Sequence, residues 1–222
     1  MIDLALIKTA SSLCRGIYVY PGEAPVAWDH FEDGIVCWGI KQVDGVCYVV
    51  FRGSCTPLDW ALDAVTWIDP LQHPAIGRVH PGFNFAIEAV WQNAKSIIGL
   101  STPFVVTGHS LGAGRADNLT AYANLDGRSP IARIVFGEPK PGFRDFCDIV
   151  NRSPGIAYCN GDDHGHDLVT EVPFDFPPEE YERPSQLVPI RASPPPSDRF
   201  GMFRYHHMPL YDAFFQTIEG VK

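Results

Sequence analysis

No run of Lys or Arg in this 222-residue chain exceeds two residues, and the formal net charge is −9. Phosphate backbones are held by clustered cations, so nucleic acid is excluded as a partner and docking on anionic membranes is disfavoured. No apolar stretch reaches the roughly 18 residues that a membrane-spanning helix needs. Cys-x-x-Cys pairs are lacking as well. The six cysteines lie at Cys14, Cys37, Cys47, Cys55, Cys147 and Cys159, a spacing that argues against zinc ribbons and thioredoxin-type redox chemistry. Neither an internal repeat nor a domain linker is visible. Charged residues are sparse at 19%, against 45% apolar and 12% aromatic. That balance excludes a disordered chain and allows one domain over residues 1–222 to bury a substantial core.

The opening stretch, MIDLALIKTASSLCRGIY, also lacks the marks of a secretory signal. Asp3 stands where a positive segment belongs, and Lys8 interrupts the apolar run. Leu4, Ile7, Ala10 and Leu13 instead recur at helical spacing behind Asp3, a good N-cap, and predict an amphipathic helix. The cytoplasm is then the default compartment, and reduced thiols the default state of the cysteines.

Residues 34–54 read as two β-branched, apolar runs meeting at Asp44-Gly45, a strong hairpin signal. Helices are expected over 57–68, 83–98, 142–150 and 209–218. Strands are expected over 103–107, 131–136, 156–159 and 187–191, with a further helix from the end of the 103–107 strand to about residue 124. This alternation predicts an α/β fold with a largely parallel central sheet and an antiparallel N-terminal hairpin. Eight prolines fall between Pro173 and Pro196, so extended loop is expected there.

Residues 105–117, VVTGHSLGAGRAD, contain Gly-x-Ser-x-Gly between a strand and a helix. Such a turn presents its serine at the carboxyl edge of a sheet, and glycines flank it because backbone segments crowd there. Ser110 is therefore the candidate nucleophile. It needs a base, and the base needs an orienting acid. With the order Ser, acid, His, several aspartates qualify, whereas His164 and His166 leave almost no chain between acid and base. His206 or His207 remains.

Further pieces carry a resemblance: VVFRGS ending at Ser54, LDWALD, VHPGF, VTGHSLG, FGEPKPG, HDLVTEVP and HHMPLYDAF, in that order. Over about residues 46–215 the chain resembles the class 3 lipase family. The resemblance implies an α/β-hydrolase fold with helices on both faces of the sheet, and hydrolysis of acylglycerols or short- to medium-chain acyl esters. It makes Asp167 the acid and His206 the base, with His207 the competitor. Ser54 and the backbone N–H of Leu111 become the oxyanion donors. The apolar segment 57–68, with Leu58, Trp60, Leu62 and Trp67, takes the place of a lid or acyl pocket, although core packing accounts for its composition equally well. A neutral lipid or ester substrate is implied, with at most transient contact with a lipid interface and no cofactor.

Other features have plainer readings. DDHGHD (162–167) concentrates imidazoles and carboxylates, but adjacent loop residues rarely close a metal site, so no metal is expected. His80 is expected to pack or hydrogen-bond beneath the sheet, and Asp59 and Asp63 to act locally. Arg115 departs from the small, apolar residues usual after the elbow, and a carboxylate partner or a solvent-reaching head group is expected for it.

Overall fold

The computed structural model describes residues 2–54, 69–163, 165–173, 180–192 and 204–218. The expected helix over 57–68, with Leu58, Asp59, Trp60, Leu62, Asp63 and Trp67, lies outside the described residues. The chain opens with α1 (Leu4–Gly16), capped by the Asp3 side chain, which accepts from the Ala5 N–H at 2.9 Å. Strands β1 (His30–Asp33), β2 (Cys37–Val43) and β3 (Val46–Phe51) follow. β2 and β3 form the expected hairpin: Asp44 and Gly45 both take positive φ, 50° and 80°, which suits the twist of a two-residue turn.

A short ribbon, β4 (Leu71–His73) with β5 (Gly77–Val79), leads to α2 (Pro81–Asn84) and α3 (Ile87–Ile97). The continuous helix expected over 83–98 is therefore two pieces. Ala86 takes a left-handed conformation, φ 60°, and the break re-aims the chain so that Phe83 and then Ile87, Val90, Trp91 and Ala94 are all buried. His80 caps α2, its Nδ1 accepting from the Gly82 N–H at 3.2 Å.

The second half alternates as expected: β6 (Phe104–His109), α4 (Leu111–Leu125), β7 (Ala132–Phe136), α5 (Arg144–Val150) and β8 (Gly155–Asp162). Then come β9 (Gly165–His166), a 3-10 turn (Leu168–Glu171), β10 (Leu187–Ile190) and α6 (Met208–Thr217). The sheet order is β1-β2-β3-β6-β7-β8-β10, with β9 on β8. The β1–β2 and β2–β3 pairs are antiparallel, and pairing is parallel from β3 to β10.

Parallel strands covered on both faces read as continuous apolar runs, and β6 shows why. Val106 joins a cluster with residues of α3, α4 and α5, while its neighbour Val105 joins one with residues of α1 and α6 on the other face. Cys14 of α1 sits 3.2 Å from Thr107 Oγ1, and burial pushes its thiol up to about 12, leaving it inert. Cys14, Cys37, Cys47, Cys147 and Cys159 are all free and buried; Cys55 lies outside the described residues.

Helix α4 is enclosed almost all round, so its polar residues bond inward. Asn118 Nδ2 donates to Gly114 O, and Thr120 Oγ1 to Ala116 O, both at 2.8 Å. Asp117 joins a buried ionic cluster: Arg133 Nη1 donates to both Asp117 Oδ1 and Glu138 Oε1, and Arg133 Nη2 to Ser185 Oγ at 2.6 Å. Burial raises the Asp117 carboxyl well above its usual range. Arg133 pulls it back and Glu138 pushes it up again.

Removing the shared cation strands two carboxyls in the core, so Arg133→Met should lower unfolding free energy by about 3–5 kcal/mol in a denaturant titration. Asp117 behaves oppositely. Its folded pKa lies above the unfolded one, so its stabilising contribution is full in acid and declines as pH rises through the folded value. Asp117→Asn should therefore keep neutral-pH stability within about 1 kcal/mol of the parent and flatten that decline, read from denaturant midpoints across pH.

Candidate active site

The link from β6 to α4 is a single residue, Ser110, with φ 62° and ψ −130°. A non-glycine residue in that region is strained and persists only where its surroundings over-determine it. Here the Ser110 N–H donates to Phe136 O at 3.0 Å, and Ser110 O accepts from the Ala113 N–H at 2.8 Å. The flanking glycines allow the approach. A Cβ on Gly108 would lie 2.1 Å from Gly112 O, and one on Gly112 would lie 2.4 Å from Phe51 O. Gly114 faces Phe83 of α2, where a Cβ would meet the ring at 2.7 Å.

The candidate acid, Asp167, lies in the turn after β9. The Asp167 N–H donates to Asn160 O at 2.8 Å, and Oδ1 accepts from the Val169 N–H at 3.0 Å, capping the 3-10 turn. Oδ2 accepts from His206 Nδ1 at 2.7 Å and from the Tyr211 hydroxyl at 2.6 Å. Burial opposes ionisation of Asp167, but the adjacent His206, these two hydrogen bonds and His109 outweigh it and hold the carboxyl below its usual range. Burial beside Asp167 pushes the Tyr211 hydroxyl far upward, so it remains a donor. Asn160 ties down the loop before His206, its Nδ2 donating to Tyr205 O at 3.2 Å.

Asp167 meets His206, and His207 lies at the N-cap of α6 instead. The competing acids are engaged elsewhere: Asp162 accepts from the Tyr205 hydroxyl at 2.5 Å, and Asp163 pairs with Arg191 at 2.9 Å. His166 is exposed and lies 3.3 Å from Glu171. His164 and Asp175 lie outside the described residues. Among the described residues no group of three His, Cys, Asp or Glu side chains is placed to hold a metal ion.

Ser110, Asp167 and His206 are exposed by 2%, 0% and 2% of their surface. Ser110 Oγ and His206 Nε2 are both buried, and neither has a hydrogen-bond partner among the described residues. Buried polar atoms without partners are rare in folded proteins, and a catalytic role is one of the accepted reasons for them. Gly137, with φ 54°, lies against the Asp167–His206 pair: a Cβ there would lie 2.6 Å from Asp167 Oδ2 and 2.9 Å from His206 Cε1. Leu111 opens α4, so its N–H lies among the unsatisfied donors of a helix start. Ser54 is half-buried and follows Gly53, where a Cβ would lie 2.9 Å from Ser110 Cβ.

Arg115 departs from expectation. Its side chain is largely buried, 8% exposed, and finds no carboxylate among the described residues. Nη2 donates to Ile35 O at 3.3 Å, Nε is buried without a partner, and burial lowers the guanidinium to about 10. The cause is the enclosure of α4, which leaves a long side chain no route outward. The ionic cluster around Arg133 was not foreseen, nor was His109 as a buried polar group. Glu138 stands only five positions from Arg133, but Asp117, Ser185, Tyr18 and His206 meet these groups through the packing of separate elements, and no recognised motif spacing marks them.

Among the described residues no helix is long and apolar enough to cross a membrane. The family model for lipase (class 3) matches residues 48–176, more than half of the chain. A secreted mono- and diacylglycerol lipase from Fusarium solani is 36% identical over 101 residues, covering 43% of this chain and 29% of that protein. A lipase from Rhizomucor miehei is 31% identical over 170 residues, covering 70% of this chain and 41% of the relative. The chain thus spans less than half the length of these curated relatives. Among solved structures, the Lip2 lipase of Yarrowia lipolytica superposes with a TM-score of 0.63 at 19% identity, covering 84% of this chain and 78% of that one. The mono- and diacylglycerol lipase of Aspergillus oryzae gives 0.61 at 18% identity, covering 78% and 75%. These structures share the α/β-hydrolase-like fold, and with the family model matched from the end of the hairpin to beyond the acid turn, the chain belongs to the class 3 lipase family.

Proposed function

We propose that this chain, folded as one α/β domain, is a carboxylic ester hydrolase acting on acylglycerols or short- to medium-chain acyl esters. The observation that carries the reading is the His206–Asp167 hydrogen bond. A carboxylate held in its ionised form accepts from Nδ1, so Nδ1 bears a proton, and in the neutral imidazole Nε2 then bears a lone pair. That lone pair is buried and unpartnered, and so is the hydroxyl of Ser110.

His206 Nε2 takes the Ser110 proton as Oγ attacks the ester carbonyl, and Asp167 stabilises the imidazolium that forms. The Leu111 N–H and Ser54 receive the developing oxyanion, each contribution on the order of 3 kcal/mol. His206 then protonates the leaving alcohol, and water releases the acyl group from Ser110 by the same steps in reverse roles. An uncharged substrate fits a chain of net charge −9, and the acylglycerol lipases among the relatives support that class. Contact with a lipid surface is transient in this reading. The Fusarium solani relative is a secreted lipase, which weighs against a cytoplasmic location for this chain.

A fluorophosphonate probe should label Ser110 in the folded chain, and Ser110→Ala should abolish both labelling and hydrolysis of an aryl-ester chain-length series. Absence of labelling overturns catalysis in favour of a binding scaffold, and faster cleavage of phospholipid than of a triacylglycerol emulsion overturns the substrate class. Asp167→Asn should lower kcat by about 10⁴ while the fold persists, because the imidazole loses the partner that selects its tautomer.

A further inference from the structure

We propose that the Tyr18 hydroxyl is a positioning group for this hydrolysis. It locks the backbone at Gly53 to the elbow at His109 and, through His109, to the loop that carries His206. The inference rests on reading Ser110 as the nucleophile and Ser54 as an oxyanion donor.

Three hydrogen bonds make the connection. The Gly53 N–H donates to Tyr18 Oη at 3.0 Å, Tyr18 Oη lies 2.7 Å from His109 Nδ1, and His109 Nε2 lies 2.7 Å from the backbone oxygen of His206. Valence assigns every proton. A carbonyl only accepts, so His109 Nε2 carries the hydrogen. In the neutral ring Nδ1 is then the acceptor. The Tyr18 O–H must therefore donate to Nδ1, and its lone pair takes the Gly53 N–H. A neutral ring suits the surroundings: burial, and then the neighbouring His206, hold His109 well below the usual histidine range. Tyr18 lies just beyond α1, which packs on β3, β6 and α6, so the hydroxyl is presented by a rigid element.

Each end of the set touches the proposed machinery. Gly53 precedes Ser54, and the room at Gly53 is shared by Tyr18 Oη, His109 O and Ser110 Cβ, at 2.3, 2.6 and 2.9 Å from where a Cβ would stand. His109 precedes Ser110, and its ring stacks on that of His206 with centroids 4.5 Å apart and 29° between planes. A neutral His109 in that stack lets His206 become cationic without facing a second cation. Catalysis by preorganised donors falls steeply with displacement of about 1 Å, and Tyr18 removes the freedom of residue 53 to drift from residue 109.

Tyr18→Phe keeps the ring and deletes the hydroxyl. It should lower kcat about tenfold with KM within about twofold. It should still allow complete fluorophosphonate labelling of Ser110, at a rate reduced in step with kcat. Because Tyr18 acts through the segment beyond β3 that bears Ser54, the combined loss in Tyr18→Phe/Ser54→Ala should be smaller than the product of the single losses. A purely structural role predicts multiplicative losses. Side-chain ¹⁵N NMR of His109 in the unaltered chain should show the neutral Nε2–H tautomer. Unchanged kcat in Tyr18→Phe, multiplicative losses, or an Nδ1–H or cationic His109 each overturns the proposal. Should Tyr18→Phe not fold, 3,5-difluorotyrosine at position 18 keeps the shape and strengthens donation to His109. A shift of kcat by at least about twofold at constant KM is then expected, and no shift overturns the proposal. If the unaltered chain neither labels nor hydrolyses esters, the hydrolase reading fails, while the NMR measurement still tests the hydrogen-bond set.

Discussion

The turn at Ser110 imposes the tightest steric constraint in this fold. The direction of the chain changes from strand to helix within one residue, and the start of α4 is forced against the ends of β6 and β3 until only glycine fits at positions 108 and 112. A strained φ of 62° at a serine persists because the sheet and helix on either side are anchored by burial rather than by the turn. Parallel pairing with β3 and β7 holds β6 from both edges, and apolar clusters on both faces leave it no direction in which to relax. Ser110 sits at the carboxyl end of that arrangement, itself buried.

Around it, the carboxyl edge of the sheet gathers groups from successive strands: Gly53 beyond β3, His109 and Ser110 at the end of β6, Gly137 beyond β7, Asp167 beyond β8 and β9. His206 arrives from the loop before α6, and Tyr211 from α6 itself. Open α/β sheets place their ligand sites at this edge because the loops there splay apart while the strands behind them remain fixed. The polar groups are joined in chains of hydrogen bonds, from Asn160 through Tyr211 and Asp167 to His206, and from Gly53 through Tyr18 and His109 back to the His206 backbone. In a water-poor interior such chains hold geometry well, since each broken link would strand a buried donor or acceptor. Elsewhere the same interior holds charge at a disadvantage, as at Arg115 and in the Asp117–Arg133–Glu138 cluster.

Much of this was legible beforehand where the signal is local. Asp44-Gly45 between two β-branched runs marked the hairpin. The alternation of apolar strand and helix marked the parallel sheet, and two glycines spaced around Ser110 marked the elbow. Shorter or polar elements left no such trace. β1 reads His-Phe-Glu-Asp, mostly exposed, and the β4–β5 ribbon spans three residues on each side, too few to display a period of two. The break at Ala86 was hidden because both pieces present apolar residues at helical spacing, and the pattern continues across a change of direction.

Whether a residue extends an apolar pattern, caps a helix or turns a hairpin depends on neighbours within a few positions, and such order is written directly along the chain. So is the presence of a serine elbow with a histidine and several acids downstream. Which acid meets which histidine is another matter. Asp167 and His206 stand 39 positions apart, and their pairing follows from how β8, β9 and α6 dock on the sheet. Tyr18 and Gly53 meet 35 positions apart because α1 covers the face that β6 leaves open. The burial of Arg115 follows from the near-complete enclosure of α4. Contacts of this kind depend on the shape and packing of whole elements, and no short stretch of residues encodes them.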